Sequence, residues 1–311
     1  MMNGWAVITG AGSGIGAALA RRLARASVNV VVVGRRGAQL DRTVAEVARD
    51  RAAAAAARSP APTLPPLPAA AAGQHGGQHG ACVPCVCDIA SPDAARLISD
   101  SLPAGAALHY LVHNAAIGDP GQAPDIDVAH FRHALEVNVV APLAITQALL
   151  PRLRQAALAA GGGGGGGGRP PHAGRVLHLG TGVAHHVQRG TGTYGVSKLA
   201  FHRLYQQLSA DLQPTGVLVG SARPGVVETE GMVEHVRKAT AMELPHADYF
   251  KTLFAGRGAG LQDMGVVAAF LHALLTECPG GEFGAREWSV NDKADWWGGS
   301  DKALLTGASK L

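Results

Sequence analysis

The chain has 311 residues, 27 of them basic and 23 acidic, for a net charge of +4. A hydrophobic content of 47% against 16% charged residues supports a sizeable core and excludes a disordered chain. The basic residues are scattered without a run of five, which argues against a nucleic-acid partner, and no apolar stretch reaches the roughly 18 residues of a membrane span.

Short apolar runs alternate with helical patterns along the chain. Strands are expected at Trp5–Thr9, Val28–Val33, Cys82–Cys87, His109–His113, Arg175–Leu179, Val217–Ala222 and Glu287–Val290. Helical stretches lie between them, near 14–26, 37–50, 92–101, 127–153, 193–213 and 261–276. Continuously apolar strands such as Val30–Val33 suit a parallel sheet covered on both faces. The alternation predicts right-handed βαβ units and a doubly wound, Rossmann-type α/β domain over residues 1–291.

Two low-complexity segments interrupt this pattern. Residues 51–81 pass from an alanine tract through Ser59–Pro68 to a Gln-His-Gly repeat with His75 and His79. Residues 155–174 contain eight consecutive glycines, Gly161–Gly168. Neither shows apolar periodicity that could offset its ordering entropy, so both are expected to be flexible surface insertions. About 260 residues remain without them, the size of one α/β domain. The His-Gly repeat lacks held geometry for a metal. Cys82, Cys85 and Cys87 lack the fourth ligand of a metal knuckle and read as part of a buried strand. No metal is therefore assigned. Four cysteines, three of them clustered, suggest a reducing compartment rather than a disulfide framework.

The first strand runs into Thr9-Gly10-Ala11-Gly12-Ser13-Gly14-Ile15-Gly16 and then a helix. Such a turn lets the backbone approach a pyrophosphate, and the helix N-terminus offers N–H groups and positive dipole. The second strand ends at Gly34-Arg35-Arg36, with no acid before Asp41. Arginine suits a 2′-phosphate, so NADP(H) is expected over NAD. Further along, Tyr194 and Lys198 stand four apart on one helix face. A free tyrosine ionises near 10, and a nearby ammonium and a cationic nicotinamide ring both favour its phenolate.

Thr9–Gly16, Asn114, Tyr194/Lys198 and Pro224-Gly225 follow the order and spacing of the short-chain dehydrogenase/reductases, which the chain resembles over 5–50, 82–154 and 175–291. The segment Val217–Gly220 and Ser221–Thr229 resembles most the sepiapterin reductase and benzil reductase branch. The resemblance implies that Tyr194 gives a proton to a substrate carbonyl while NADPH delivers hydride. Lys198 would hold the nicotinamide ribose and depress the tyrosine pKa. Asn138 would support a water-linked proton path. Gly10, Ser13, Gly14, Ile15 and Gly16 would form the phosphate turn, and Asp88 would contact the adenine. Asn114 would lie beside the cofactor, and Pro224, Gly225, Val227 and Thr229 would border the nicotinamide.

Two positions depart from the family pattern. Thr181 stands where the family has a carbonyl-orienting serine, and its methyl group stiffens χ1. Ala116 follows Asn114-Ala115 where glycine is usual, which raises the question of a positive φ there. His178, His185 and His186 neighbour the site, but the resemblance gives them no role. Residues 226–260, with Met232, Met242, Leu244, Tyr249 and Phe250, are expected to form a substrate lid suited to a hydrophobic or aromatic carbonyl.

The expected activity is NADPH-dependent carbonyl reduction on a small molecule. The alternatives are an alcohol or hydroxyacyl dehydrogenase and a non-catalytic NADP(H)-binding scaffold or redox sensor. The family commonly forms dimers and tetramers, so a homo-oligomer is expected. Residues 292–311 read as a tail ending Ser309-Lys310-Leu311, a tripeptide read by the peroxisomal import receptor. The expected location is the peroxisome, and otherwise the cytoplasm.

Overall fold

A computed structural model describes residues 4–58, 80–160, 174–256 and 260–292. The eight-glycine run, the His-Gly repeat and the C-terminal tripeptide lie outside the described residues.

Strand β1 (Trp5–Thr9) leads into helix α1 (Gly14–Arg25), followed by β2 (Asn29–Gly34) and α2 (Gly37–Arg58). Next come β3 (Cys82–Val86), α3 (Ala94–Asp100) and β4 (Leu108–His113). Helix α4 (Val128–Leu135) continues through a single π turn, Glu136–Val140, into α5 (Ala141–Ala159). Then follow β5 (Arg175–Leu179), α6 (Gly192–Leu212), β6 (Leu218–Arg223), α7 (Glu230–Ala241) and α8 (Ala247–Phe254). Helix α9 (Met264–Thr276), the short α10 (Gly280–Phe283) and β7 (Glu287–Ser289) complete the described chain.

The seven strands form one parallel sheet in the order β3-β2-β1-β4-β5-β6-β7. The alternation of the pleat sorts its apolar runs into two layers. Ala6, Ile8, Val30 and Val32 pack with Leu19, Leu23, Phe270 and Leu274 on one face. Val7, Val31 and Val33 pack with Ile98, Ile145, Leu149 and Tyr205 on the other. The chain winds outward from β1 to β3 and then crosses to β4. The crevice beyond the C-terminal ends of β1 and β4 is thus the topological switch point, where α/β sheets bind ligands.

Several boundaries differ from the sequence reading. The expected insertion at 51–81 begins inside α2, which runs to Arg58 because an alanine tract has the highest helix propensity of any run. The expected insertion at 155–174 likewise begins inside α5, which reaches Ala159. The Cys82–Cys87 strand is not fully buried but forms the outer edge of the sheet. Cys85 and Cys87 face inward, while Pro84 and Val86 are exposed, and an edge tolerates a proline that cannot donate to a ladder. The continuous helix Val128–Ala159 is long and apolar enough, by length and composition, to cross a membrane. In this fold its Ile145, Leu149 and Leu153 pack in the core.

Buried basic side chains also shape the fold. Arg175 is fully buried at the start of β5. Its guanidinium donates to the carbonyls of Leu274 and Leu275 (2.9 and 3.0 Å) and of Cys278 (2.6 Å) at the end of α9. Burial pushes His113 down to about 3 and His272 down to about 4, and holds His178 well below its ordinary value. These imidazoles are neutral when folded but take up protons near pH 6.5 when unfolded. Below pH 6.5 the unfolded state therefore binds more protons, and stability falls with falling pH. Each histidine contributes a slope of about 1.4 kcal/mol per pH unit. Chemical denaturation at pH 7, 6, 5 and 4.5 is expected to show this decline. Stability that stays level across that window would show that these histidines protonate in place.

Candidate active site

The turn after β1 is built for a close ligand. Gly10 and Gly14 have φ of +68° and +56°. A Cβ on Gly16 would lie 2.6 Å from the Asn114 side chain and 2.7 Å from the Gly10 carbonyl. Ser13 caps α1 without any side-chain hydrogen bond, which leaves the first-turn N–H groups to a ligand. Ile15 packs against the core. Asn114 is a brace for this turn: its Nδ2 donates to the carbonyls of Thr9 (2.8 Å) and Gly10 (3.1 Å). Ala116 does not have positive φ, so the residue that replaces the family glycine carries no backbone strain.

Beyond β2, Arg35 and Arg36 are exposed, and among the described residues their ion pairs are long, to Asp88 at 3.9 Å and Glu230 at 3.7 Å. Exposed pairs at such distances contribute little, so both guanidiniums can turn to a phosphate. Asp88 sits after β3 and accepts from Ala90 N at 3.0 Å. Pro224 and Gly225 follow β6. Gly225 has φ of +73°, and Val227 is buried. Thr229 caps α7 by accepting from Met232 N at 3.2 Å. A Cβ on Gly14 would lie 3.1 Å from the Thr229 methyl, so the start of α7 lies over the phosphate turn.

Tyr194 and Lys198 lie in the first two turns of α6. The π turn places Asn138 against them. Its Nδ2 donates to Ile117 O (2.7 Å) and Ser197 Oγ (2.8 Å), and its Oδ1 accepts from Ile117 N (2.9 Å). Lys198 Nζ donates to Leu179 O at 2.9 Å and lies 5.8 Å from the centre of the Tyr194 ring. Thr181 follows β5 and opens the short turn Gly182–Ala184, which packs on α6.

The expected depression of the tyrosine pKa is not met by the protein alone. Burial pushes the Tyr194 hydroxyl up to about 12. Burial also pushes Lys198 down to about 7, against the pull of the Glu287 carboxylate. In this dry site desolvation is the largest influence on both groups and pushes each toward its neutral form.

Two residues escaped the sequence reading. A Cβ on Gly118 would lie 2.6 Å from the Tyr194 Cβ, so only glycine lets the loop after β4 close on the tyrosine. Gly118→Ala is expected to displace Tyr194 and lower kcat about ten- to a hundredfold, as measured by steady-state kinetics. An unchanged kcat would show that the loop yields instead. The other is Glu287, at the start of β7. Its side chain is 7% exposed and meets His185, His202, Ser221 and Arg223. His185 and His186 are exposed at the surface, while His178 stacks on Phe201 inside the core at 4.3 Å. Helices α7 and α8, from the segment expected to be a lid, form their own small core from Val236, Phe250 and Leu253.

The model of the short chain dehydrogenase family matches residues 4–59 and 65–240. The chain belongs to that family. This short chain dehydrogenase is 29% identical over 231 residues to sulfoacetaldehyde reductase 2 of Chromohalobacter salexigens, covering 74% of this chain and 75% of the relative. It is 28% identical over 231 residues to serine 3-dehydrogenase of Agrobacterium fabrum, covering 74% of each. In fold it is similar to L-sorbose reductase from Gluconobacter frateurii, solved with NADPH and L-sorbose. That likeness has a TM-score of 0.70 at 18% identity and covers 92% of this chain and 94% of the other. A metagenomic short-chain oxidoreductase in complex with NADP aligns with a TM-score of 0.59 at 20% identity, covering 88% and 91%.

Proposed function

We propose that this short chain dehydrogenase uses NADPH to reduce a ketone or diketone to an alcohol. The observation that carries the reading is the buried Tyr194–Lys198 pair on α6, closed in by Gly118 and braced by Asn138 through Ser197. From that place the Tyr194 hydroxyl can give its proton to a carbonyl oxygen as hydride arrives. The residues present fit a dinucleotide. The glycine turn and the open N-terminus of α1 would take the pyrophosphate, and Arg35 and Arg36 the 2′-phosphate. Asp88 would stand beside the adenine, and Pro224, Gly225, Val227 and Thr229 beside the nicotinamide. Two similar solved proteins hold NADPH or NADP, which supports the cofactor choice. Bound NADPH supplies hydride.

This chain's own residues do the rest. Thr181 would donate its hydroxyl to the substrate oxygen and hold the carbonyl toward Tyr194. Lys198 would hold the nicotinamide ribose. Asn138 fixes Ile117 and Ser197 around the pair and so keeps the proton donor in place. Met242 and Tyr249 on the lid remain exposed, which supports a hydrophobic or aromatic substrate. The likeness of Val217–Thr229 to the sepiapterin and benzil reductase branch makes pterins and aromatic diketones the first compounds to try.

The test is NADPH consumption across diketones, quinones, pterins and acyl-CoA carbonyls. Turnover of at least one class is expected. Oxidation of alcohols or hydroxyacyl compounds with no carbonyl reduction would overturn the reading. Arg35→Ala with Arg36→Ala is expected to weaken NADPH binding, by roughly 1.5–3 kcal/mol per charge-assisted hydrogen bond lost, and to spare NADH. Equal losses for the two cofactors, measured by fluorescence titration, would show that the arginine pair is structural.

A further inference from the structure

Beside the turn that carries Thr181, three elements converge on one carboxylate that has no assigned part in proton transfer to a carbonyl. His185 comes from the turn that follows Thr181, His202 lies one helical turn beyond Lys198, and Glu287 opens the edge strand β7. His185 Nε2 is 2.7 Å from Glu287 Oε2, and His202 Nδ1 is 3.3 Å from Oε1. The two imidazoles meet edge to face, with centres 4.4 Å apart. All three candidate ligand atoms lie within 4.8 Å of one another. Around a tetrahedral zinc ion, with bonds of about 2.0–2.1 Å, such atoms stand about 3.3 Å apart. A metal would replace the His185–Glu287 hydrogen bond, its spacing opening from 2.7 Å toward that value as the exposed His185 ring adjusts.

We propose that His185, His202 and Glu287 form a site for one divalent transition-metal ion of the zinc type, with a fourth position open to water. Two imidazoles and a carboxylate match zinc, whereas magnesium and calcium prefer all-oxygen ligands. The surroundings supply the outer shell such a site needs. Ser221 Oγ donates to Glu287 Oε1 at 2.9 Å and fixes the carboxylate. Gln206 Nε2 lies 3.2 Å from His202 Nε2. With the metal on Nδ1, the His202 Nε2–H would donate to the Gln206 side-chain oxygen after a turn of that amide, which would exchange its exposed bond from Arg203 (3.2 Å) for the imidazole.

Arg223 occupies the metal's electrostatic place. Its Nε is 3.1 Å from Glu287 Oε2 but makes no hydrogen bond. Its side chain is 39% exposed and can swing to solvent when a metal arrives. Competition from this cation lowers metal affinity, so its removal should raise it. Occupancy would tie the Thr181 turn, α6 and β7 together and neutralise the carboxylate that acts on Lys198. The site is therefore placed to couple metal level to the catalytic pair.

The test uses the full chain carrying His75→Ala and His79→Ala, which removes the competing His-Gly repeat. Zinc is titrated by calorimetry, and cobalt by its visible absorption. One equivalent is expected to bind, with the cobalt spectrum of a four-coordinate site. His185→Ala and His202→Ala should each weaken binding about tenfold or more, and Arg223→Gln should tighten it. His185→Ala removes an exposed side chain, and its circular dichroism melt is expected to match the parent. Absence of saturable one-equivalent binding, or binding unchanged in both histidine variants, would overturn the proposal.

Discussion

Tyr194→Phe is expected to lower kcat by about 10²- to 10⁴-fold, the usual cost of losing a positioned general acid. NADPH affinity should change little, because the variant removes one hydroxyl and no residue of the glycine turn or the arginine pair. The fold should survive as well. The ring keeps its place beside Gly118, and the backbone carbonyl of residue 194 still accepts from Ser197 Oγ at 3.0 Å. Steady-state kinetics with a cofactor titration would separate these effects. A variant that kept more than about a tenth of the parent kcat would remove Tyr194 from the role of acid. Lys198→Met provides the complementary comparison. It should lower kcat and also weaken NADPH, since the lysine is assigned to the ribose as well as to the proton path.

How much of this site could be read in the sequence depends on the range of each contact. The glycine turn, the arginine pair and Tyr194/Lys198 are local patterns, so their spacing alone placed them on a turn, a strand end and one helix face. Strand positions were legible for the same reason, because runs such as Val30–Val33 have few other uses. Asn138 was legible only through family resemblance, since nothing in its neighbours announces the π turn that aims its side chain. Gly118 and Glu287 were not legible. Gly118 matters through contact with a tyrosine on another element, and Glu287 meets His185 across 102 residues of sequence. That contact exists only because β7 pairs with β6 at the sheet edge.

Where local reasoning failed, a competing local signal was present. The alanine tract after Arg51 has no apolar stripe and was read as part of an insertion. Helix propensity does not need a stripe, and α2 continues through it. The proton balance of Tyr194 and Lys198 in the protein without cofactor is hidden from the sequence for a different reason. A sequence shows which charges are near one another but not how dry their surroundings are, and here dryness decides the direction of both shifts.

Arg175→Met should produce the largest loss of stability of any variant named above, about 3–5 kcal/mol. An arginine at the start of a core strand looks misplaced until its partners are seen. Its guanidinium takes two carbonyls in the last turn of α9 and that of Cys278 just beyond it, and its Cζ lies 4.8 Å from the centre of the Phe283 ring. Methionine fills much of the same volume but donates nothing, so the three carbonyls lose their partner inside the core. Arg175→Lys keeps the charge without the planar fork and should fall between the two. Thermal melts are expected to show a drop on the order of 10 °C for the methionine variant. A loss below about 1 kcal/mol would mean that water replaces the guanidinium at the helix end. Because α9 packs directly on α1, damage there could also reach the phosphate turn. Melts with and without saturating NADPH separate the two effects. A site left intact gains the same stabilisation from cofactor in variant and parent, since that gain depends only on the ratio of ligand concentration to Kd.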